Sequence, residues 1–239
     1  MNKEIVLATL EQRLRSPVRC ALAAAFVFFA SGPYLIALFV KSMPREITGS
    51  PHGGMLALVF AAGVLGQEFS SGAPQLTFTR PLPRWQWVLS RAATCAAIAS
   101  VLAVLPYFPA FLIGIPLEQI ALAMLGQVAE AVATTAIVTG LSSLVPGLTD
   151  LALLAGANIG FGILGLFANL LRDDQARAIA SWLKSHIEPW FSPHLDLVSL
   201  VHGASWSSHA LLVILSTIAF WLVVAIAMSN RKELSYATD

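Results

Sequence analysis

The chain has 239 residues, of which 57% are hydrophobic and 11% charged, and its mean hydropathy is +0.75. A soluble globular domain carries roughly a quarter charged residues, so this composition belongs to a membrane protein. A net charge of +1 offers no broad basic surface for nucleic acid, and no GxxxxGK[ST] or C2H2 pattern occurs, so any nucleotide chemistry has to come from a partner.

The N-terminus does not read as a secretory signal, because Lys3, Glu4, Glu11, Arg13 and Arg15 interrupt it before Pro17. Within IVLATLEQRLRSP, Val6, Leu10 and Leu14 share one helical face while Glu4, Glu11, Arg13 and Arg15 fall mostly elsewhere. Residues 1–17 are therefore expected to form a short amphipathic helix in the membrane interface. The alternative is a frayed polar tail, since a helix this short is marginal alone.

A bilayer core of roughly 30 Å calls for about 20 mostly apolar residues per helix. Six segments meet or approach that length: Cys20–Val40, Ser50–Gln67, Trp87–Ile113, Leu117–Leu141, Leu151–Leu171 and His209–Met228. The second is the weakest, with Pro51, His52 and two glycines at its outer end, and Pro106 and Pro109 are expected to kink or end the third. Cys20 and Cys95 lie in or beside these apolar runs without metal-like spacing, and read as reduced packing residues.

With the N-terminus inside, Lys3, Arg13, Arg15, Arg19, Arg80, Arg84, Arg91, Arg231 and Lys232 are cytoplasmic. Lys41, Arg45, Arg172, Arg177 and Lys184 are then external. This excess of inner cations favours both termini inside, and it puts the stretch GQEFSSGAPQLTFTRPLPRWQWVLSR, Gly66 to Arg91, on the cytoplasmic side. Ser70, Ser71 and Gly72 supply caps and a turn there, Pro81 and Pro83 stiffen the exit, and Trp85 and Trp87 suit an interface. Glu68 can favour the N-terminus of a short following helix, and Arg80 and Arg84 can pair with acidic partners or anionic headgroups. A plain positive-inside loop with aromatic anchors accounts for the same residues.

In the fourth span Gln127, Glu130 and Thr134 share one face, placing a carboxylate in mid-membrane. It can line a translocation path, sit at the seam with a second permease, carry a proton, or tie helices together with Asn158. Gly156 and Gly160 in the fifth span have the spacing for close helix packing, within the subunit or across a dimer. The external segment 172–208 carries Trp182, Trp190 and several leucines, and is expected to lie against the outer leaflet and to include short re-entrant helices. His186, Glu188, His194, Asp196, His202 and His209 fall there too, as metal-ligand types without a tight pair or CxxC. No GxSxG or HExxH occurs.

The order of an interfacial helix, two spans, the motif Glu68-Phe-Ser-Ser-Gly72-Ala-Pro-Gln-Leu76, then Arg80-Pro-Leu-Pro-Arg84 and Arg91, resembles the permease subunit of type-two ABC transporters. The external Ser192, Pro193 and Gly203 are similar to that family's Ser-Pro-then-Gly segment before the last span. The likeness covers the whole chain in topology and about thirty residues in motif. The chain departs from the family after Gly72, where Ala73 and Pro74 follow, and at Pro83 before Arg84.

The resemblance implies an all-α integral membrane protein in a bacterial inner membrane, with six spans, a coupling helix between spans two and three (68–86), and both termini cytoplasmic. It implies a non-enzymatic permease subunit that pairs with itself or a related permease and with separate ATPase subunits, which hold the ATP and magnesium. Glu68, Phe69, Ser70, Gly72, Leu76, Arg80 and Arg84 are the expected ATPase-docking residues. Gln127, Glu130 and Thr134 are expected at the translocation path or dimer seam, and Gly156 and Gly160 at a packing seam. Two other classes compete: a proton-coupled secondary transporter using Glu130, and a non-transporting mechanochemical subunit driven by the same ATPase. Against the former, halves 1–115 and 116–239 show no convincing internal repeat.

Overall fold

Capping residues and prolines set the helix starts. In the computed structural model, which describes residues 2–40, 47, 52–66, 83–145, 148–170, 174–195, 197–200 and 208–236, all regular structure is helical. Helix α1 (Lys3–Leu14) begins where Asn2 Oδ1 accepts the Glu4 N–H at 3.0 Å, and α2 (Pro17–Phe39) begins with Ser16 as cap and Pro17 in the first turn. There follow α3 (His52–Ala61), α4 (Arg84–Val104), a 3-10 turn (Leu105–Tyr107) and α5 (Phe108–Leu112). The break after Val104 falls at Pro106, and α5 carries Pro109 in its first turn, as the missing proline N–H groups require. The chain continues through α6 (Leu117–Leu144), α7 (Thr149–Leu170), α8 (Asp174–His186), 3-10 turns at Glu188–Trp190 and Val198–Leu200, and α9 (Ser208–Tyr236).

Among the described residues, four helical segments are long and apolar enough to cross a membrane: Pro17–Phe39, Arg84–Leu112, Leu117–Leu144 and Ser208–Arg231. The protein is thus a multi-span helical membrane protein. The other two expected spans correspond to shorter apolar stretches among the described residues, His52–Ala61 and Thr149–Leu164. At about 1.5 Å of rise per residue, ten residues of α3 cover roughly 15 Å, half a bilayer core.

Helix α6 is the central rod, with α3, α4 and α9 packed round it. It meets α9 closely at Gly140, where an added Cβ would lie 2.5 Å from the Trp221 ring. Hydrogen there lets the two backbones approach, the way small residues act in membrane bundles. Around this contact Leu65, Trp87, Ile137, Leu141 and Trp221 form the main apolar cluster. Hydroxyls inside the bundle bond backward along their own helices: Thr135 to the Ala131 carbonyl at 2.8 Å, Thr139 to Thr135 at 2.7 Å and Ser229 to Ala225 at 2.7 Å. Polar side chains are satisfied in this way without water.

Helix α1 has two distinct faces. Ile5, Thr9 and Arg13 form its buried face, while Val6, Leu10 and Leu14 line an open apolar groove beside α4. The reason is Arg13, which is only 1% exposed and reaches into the bundle.

Candidate functional site

The two ends of α3 gather most of the buried polar chemistry among the described residues. At its first turn, the Gly53 N–H donates to Gln127 Oε1 at 2.8 Å. A Cβ on Gly54 would lie 2.9 Å from Glu130 Oε1 and 3.2 Å from Thr134 Oγ1. Gln127, Glu130 and Thr134 therefore do share one buried face, as their spacing predicts, and what they face is a helix N-terminus. That end of α3 offers free backbone donors and the positive pole of the helix dipole. The glycine pair is what allows the approach, since a Cβ on Gly53 would collide with the Gln127 carbonyl oxygen.

Aromatic rings close this end from the side. The His52 ring nitrogen Nε2 is 2.9 Å from the Ala103 carbonyl oxygen, its ring lies 5.5 Å from that of Tyr107, and Tyr107 lies 5.8 Å from Tyr34. Glu130 is 6% exposed, and its Oε2 accepts no hydrogen bond among the described residues. The His194 Nδ1 stands 3.9 Å from that oxygen. The expected tie to Asn158 is not formed, because the Asn158 side chain donates to the Leu154 carbonyl of its own helix at 2.9 Å.

His194 arrives on a segment that does more than lie on a leaflet. The Trp221 indole N–H donates to the Trp190 carbonyl at 3.1 Å, and Phe191 packs edge-on against Trp221 with centroids 5.9 Å apart. A Cβ on Gly126 would sit 2.7 Å from the Leu195 carbonyl oxygen, and Pro193 and Leu197 are buried. The segment is wedged between α6 and α9. Trp182 on α8, by contrast, is 54% exposed and keeps the character expected of an interface anchor.

At the other end of α3 the chain turns sharply, with Gly63 at φ +65°. The Gly63 N–H donates to Asp150 Oδ2 at 2.7 Å, and Ser142 Oγ accepts the N–H groups of Leu65 at 3.1 Å and Gly66 at 2.8 Å. Guanidinium groups take the carbonyls: Arg13 and Arg19 reach Ala62 at 2.9 and 3.5 Å, and Arg91 reaches Val64 at 3.2 Å while lying 4.9 Å over the Trp87 ring. Cations at a helix C-terminus complement its dipole. Five elements (α1, α2, α4, α6 and α7) thus hold one turn, and that turn leads into residue 67. Sequence reading took Arg13, Arg19 and Arg91 only as cytoplasmic cations and passed over Ser142 and Asp150, each unremarkable alone; an aspartate opening α7 was the available signal.

Of the expected docking residues, Glu68, Phe69, Ser70, Gly72, Leu76 and Arg80 lie outside the described residues. Arg84 opens α4 and donates from Nη1 to the Asn230 carbonyl of α9 at 3.2 Å. Around Gly156 and Gly160 no described atom comes within 4 Å of where a Cβ would stand. His186, His194 and His209 line one cavity of about 390 Å³. No group of three metal-ligand side chains forms among the described residues, and Asp196 and His202 lie outside them.

No family model matches the chain, and no curated protein matches its sequence.

Proposed function

We propose that the chain is the membrane subunit of an ATP-driven exporter, docking separate ATPase subunits through residues 68–86 and pairing with a second permease. The observation that carries this reading is the turn at residues 62–66. A force applied to the segment that follows would be passed to α1, α2, α4, α6 and α7 together, because each supplies a hydrogen bond to the turn. A plain connector has no need of such a root, and a lever has. The loop composition from Glu68 to Arg84, with its stiffening prolines and its cations, supplies the complementary half. The open face of α7 at Gly156 and Gly160 suits close packing against the second permease. In this reading there are six spans, both termini are cytoplasmic, and the membrane is a bacterial inner membrane.

The test is purification from native membranes followed by an ATP-hydrolysis assay. An ATPase carrying Walker motifs is expected to co-purify, and to be lost on Glu68→Lys or Arg84→Glu while both variants keep wild-type melting. Retention in both variants, or no ATPase at all, sinks the reading.

The second reading, a proton-coupled carrier, draws on Glu130 beside the N-terminus of a half-length helix, a feature of secondary transporters. It requires ATP-independent flux that Glu130→Gln abolishes.

A further inference from the structure

Two buried acids occur among the described residues, Asp150 and Glu130. Asp150 is committed, one oxygen to the Gly63 N–H and the other to the Leu151 N–H at 2.8 Å. Glu130 is half committed. Its Oε1 lies against the first turn of α3, beside the Gly54 position and Thr134 Oγ1. Its Oε2 is buried and accepts no hydrogen bond among the described residues, which is costly for a carboxyl oxygen in an apolar bundle. Such an atom calls for a donor that arrives from elsewhere.

Among the described residues the cation-forming side chain near it is His194, at 3.9 Å, beyond hydrogen-bond reach. Its side chain is 53% exposed while that of Glu130 is 8% exposed, so the imidazole stands between the carboxylate and the outside. His194 also lines the cavity of about 390 Å³, together with His186, Trp190, Pro193, His209 and Ile214. A volume of that order holds a small drug-sized molecule. Its lining includes Trp190, whose ring is of the kind that attracts a cation to its face. Tyr107 and Tyr34, with ring centroids 5.8 Å apart, stand with His52 at the first turn of α3. A cavity walled by Trp190 and joined through His194 to a single buried carboxylate is the chemistry that recognises an organic cation. An anion would meet that carboxylate as a like charge, and a neutral solute would leave its oxygen unpartnered.

Resting on the reading of the chain as a transport subunit, we propose that Glu130 Oε2 is the seat for the ammonium group of an organic-cation substrate. The cavity beside His194 is its vestibule, and the His194 imidazole holds the seat until the substrate displaces it. The wedge from residue 187 to 195 fits that role, since it is held by a few separable contacts: the Trp221–Trp190 hydrogen bond, the Phe191–Trp221 ring contact and the approach of Leu195 to Gly126.

The experiment uses the full chain in lipid nanodiscs, without any ATPase, and ethidium as a fluorescent planar cation. Saturable binding is expected, with competition by tetraphenylphosphonium and none by the anion anilinonaphthalene sulfonate. Glu130→Gln should weaken ethidium at least tenfold, and His194→Ala, at an exposed position, should strengthen it several-fold by removing the competitor. Melting curves of each variant accompany the titrations. Should Glu130→Gln unfold, the His194→Ala gain and the competition pattern still decide. Binding unchanged in Glu130→Gln, weakened in His194→Ala, or displaced by the anion overturns the proposal. So does zinc binding that depends on Glu130 and His194 in the absence of ethidium binding, which would make the seat a metal site. Because no ATPase is present, failure here is distinct from failure of the docking assay above.

Discussion

Gly63 and Asp150 stand 87 residues apart in sequence, yet the glycine N–H donates to the aspartate Oδ2 at 2.7 Å in a fully buried setting. The bond fixes the turn where α3 ends to the start of α7. Asp150→Ala leaves that N–H, and the Leu151 N–H, without the carboxylate. We expect a loss of about 1–3 kcal/mol, read as a lower melting temperature in detergent. Cys95, whose Sγ lies 3.4 Å from the Phe60 carbonyl in the last turn of α3, should gain reactivity toward maleimide at the same time. Gly63→Ala tests the same turn from the other side. Its φ of +65° penalises any side chain by about 1–2 kcal/mol. Because both changes act on one bond, the double variant should fall short of the sum.

The N-terminal end of α3 gives an ordering. A Cβ on Gly53 meets backbone, the Gln127 carbonyl oxygen, whereas one on Gly54 meets the tip of the Glu130 side chain at 2.9 Å. Backbone cannot move aside without dragging α3 off α6, while a carboxylate can rotate. Gly53→Ala is therefore expected to be the more damaging, at about 1–3 kcal/mol for overpacking, with Gly54→Ala milder in thermal melts. Gly54→Ala should instead be felt in ethidium binding, since it pushes the carboxylate from its seat. Equal melting losses would contradict this difference in packing between the two glycines.

Arg13 supplies a third test. Its guanidinium is 1% exposed and bonds the Ala62 carbonyl at 2.9 Å, with Nε taking no partner among the described residues. Arg13→Ala opens a cavity and strips that carbonyl, and should cost about 3 kcal/mol or more. Arg13→Met keeps much of the volume and removes the charge. Replacing a buried ion with a well-packed apolar chain is often nearly neutral, so Met should recover a large part of the melting temperature. If the lever reading holds, Met should nevertheless lower the ATPase stimulation measured in the assembled complex, because the turn has lost one of its ties.

How far these features were legible in sequence depends on range. Four of the six expected spans, the proline break at Pro106 and the Gln127–Glu130–Thr134 face follow from length, missing donors and helical period, all local quantities. The place of Arg13 was hidden for the opposite reason. Periodicity put Val6, Leu10 and Leu14 on one face and Arg13 off it, but no local pattern tells that a helix C-terminus 49 residues away receives the guanidinium. The shortness of α3 was half visible in the Pro51–Gly54 stretch. That its N-terminus would stop at the level of Glu130 depends on packing against α6, which no one-dimensional pattern encodes. The same holds for the wedge, where the tryptophans at 182 and 190 look alike in sequence. One stays 54% exposed and the other gives its carbonyl to Trp221.

That last contact yields the most direct test of how the wedge is held. Trp221→Phe removes the indole N–H that donates to the Trp190 carbonyl at 3.1 Å, and keeps an aromatic ring between Phe191 and Gly140. The loss is one hydrogen bond, about 1 kcal/mol, together with some packing on Gly140. Global melting should fall only slightly. Opening of residues 188–195 should become more frequent, because that bond contributes a large share of what pins the segment to α9. Hydrogen exchange followed by mass spectrometry is expected to show several-fold faster exchange in a peptide covering 188–195, with α6 peptides unchanged. Faster exchange throughout α6 and α9 would mean instead that the indole supports the whole bundle, and that the wedge is not a separately releasable part.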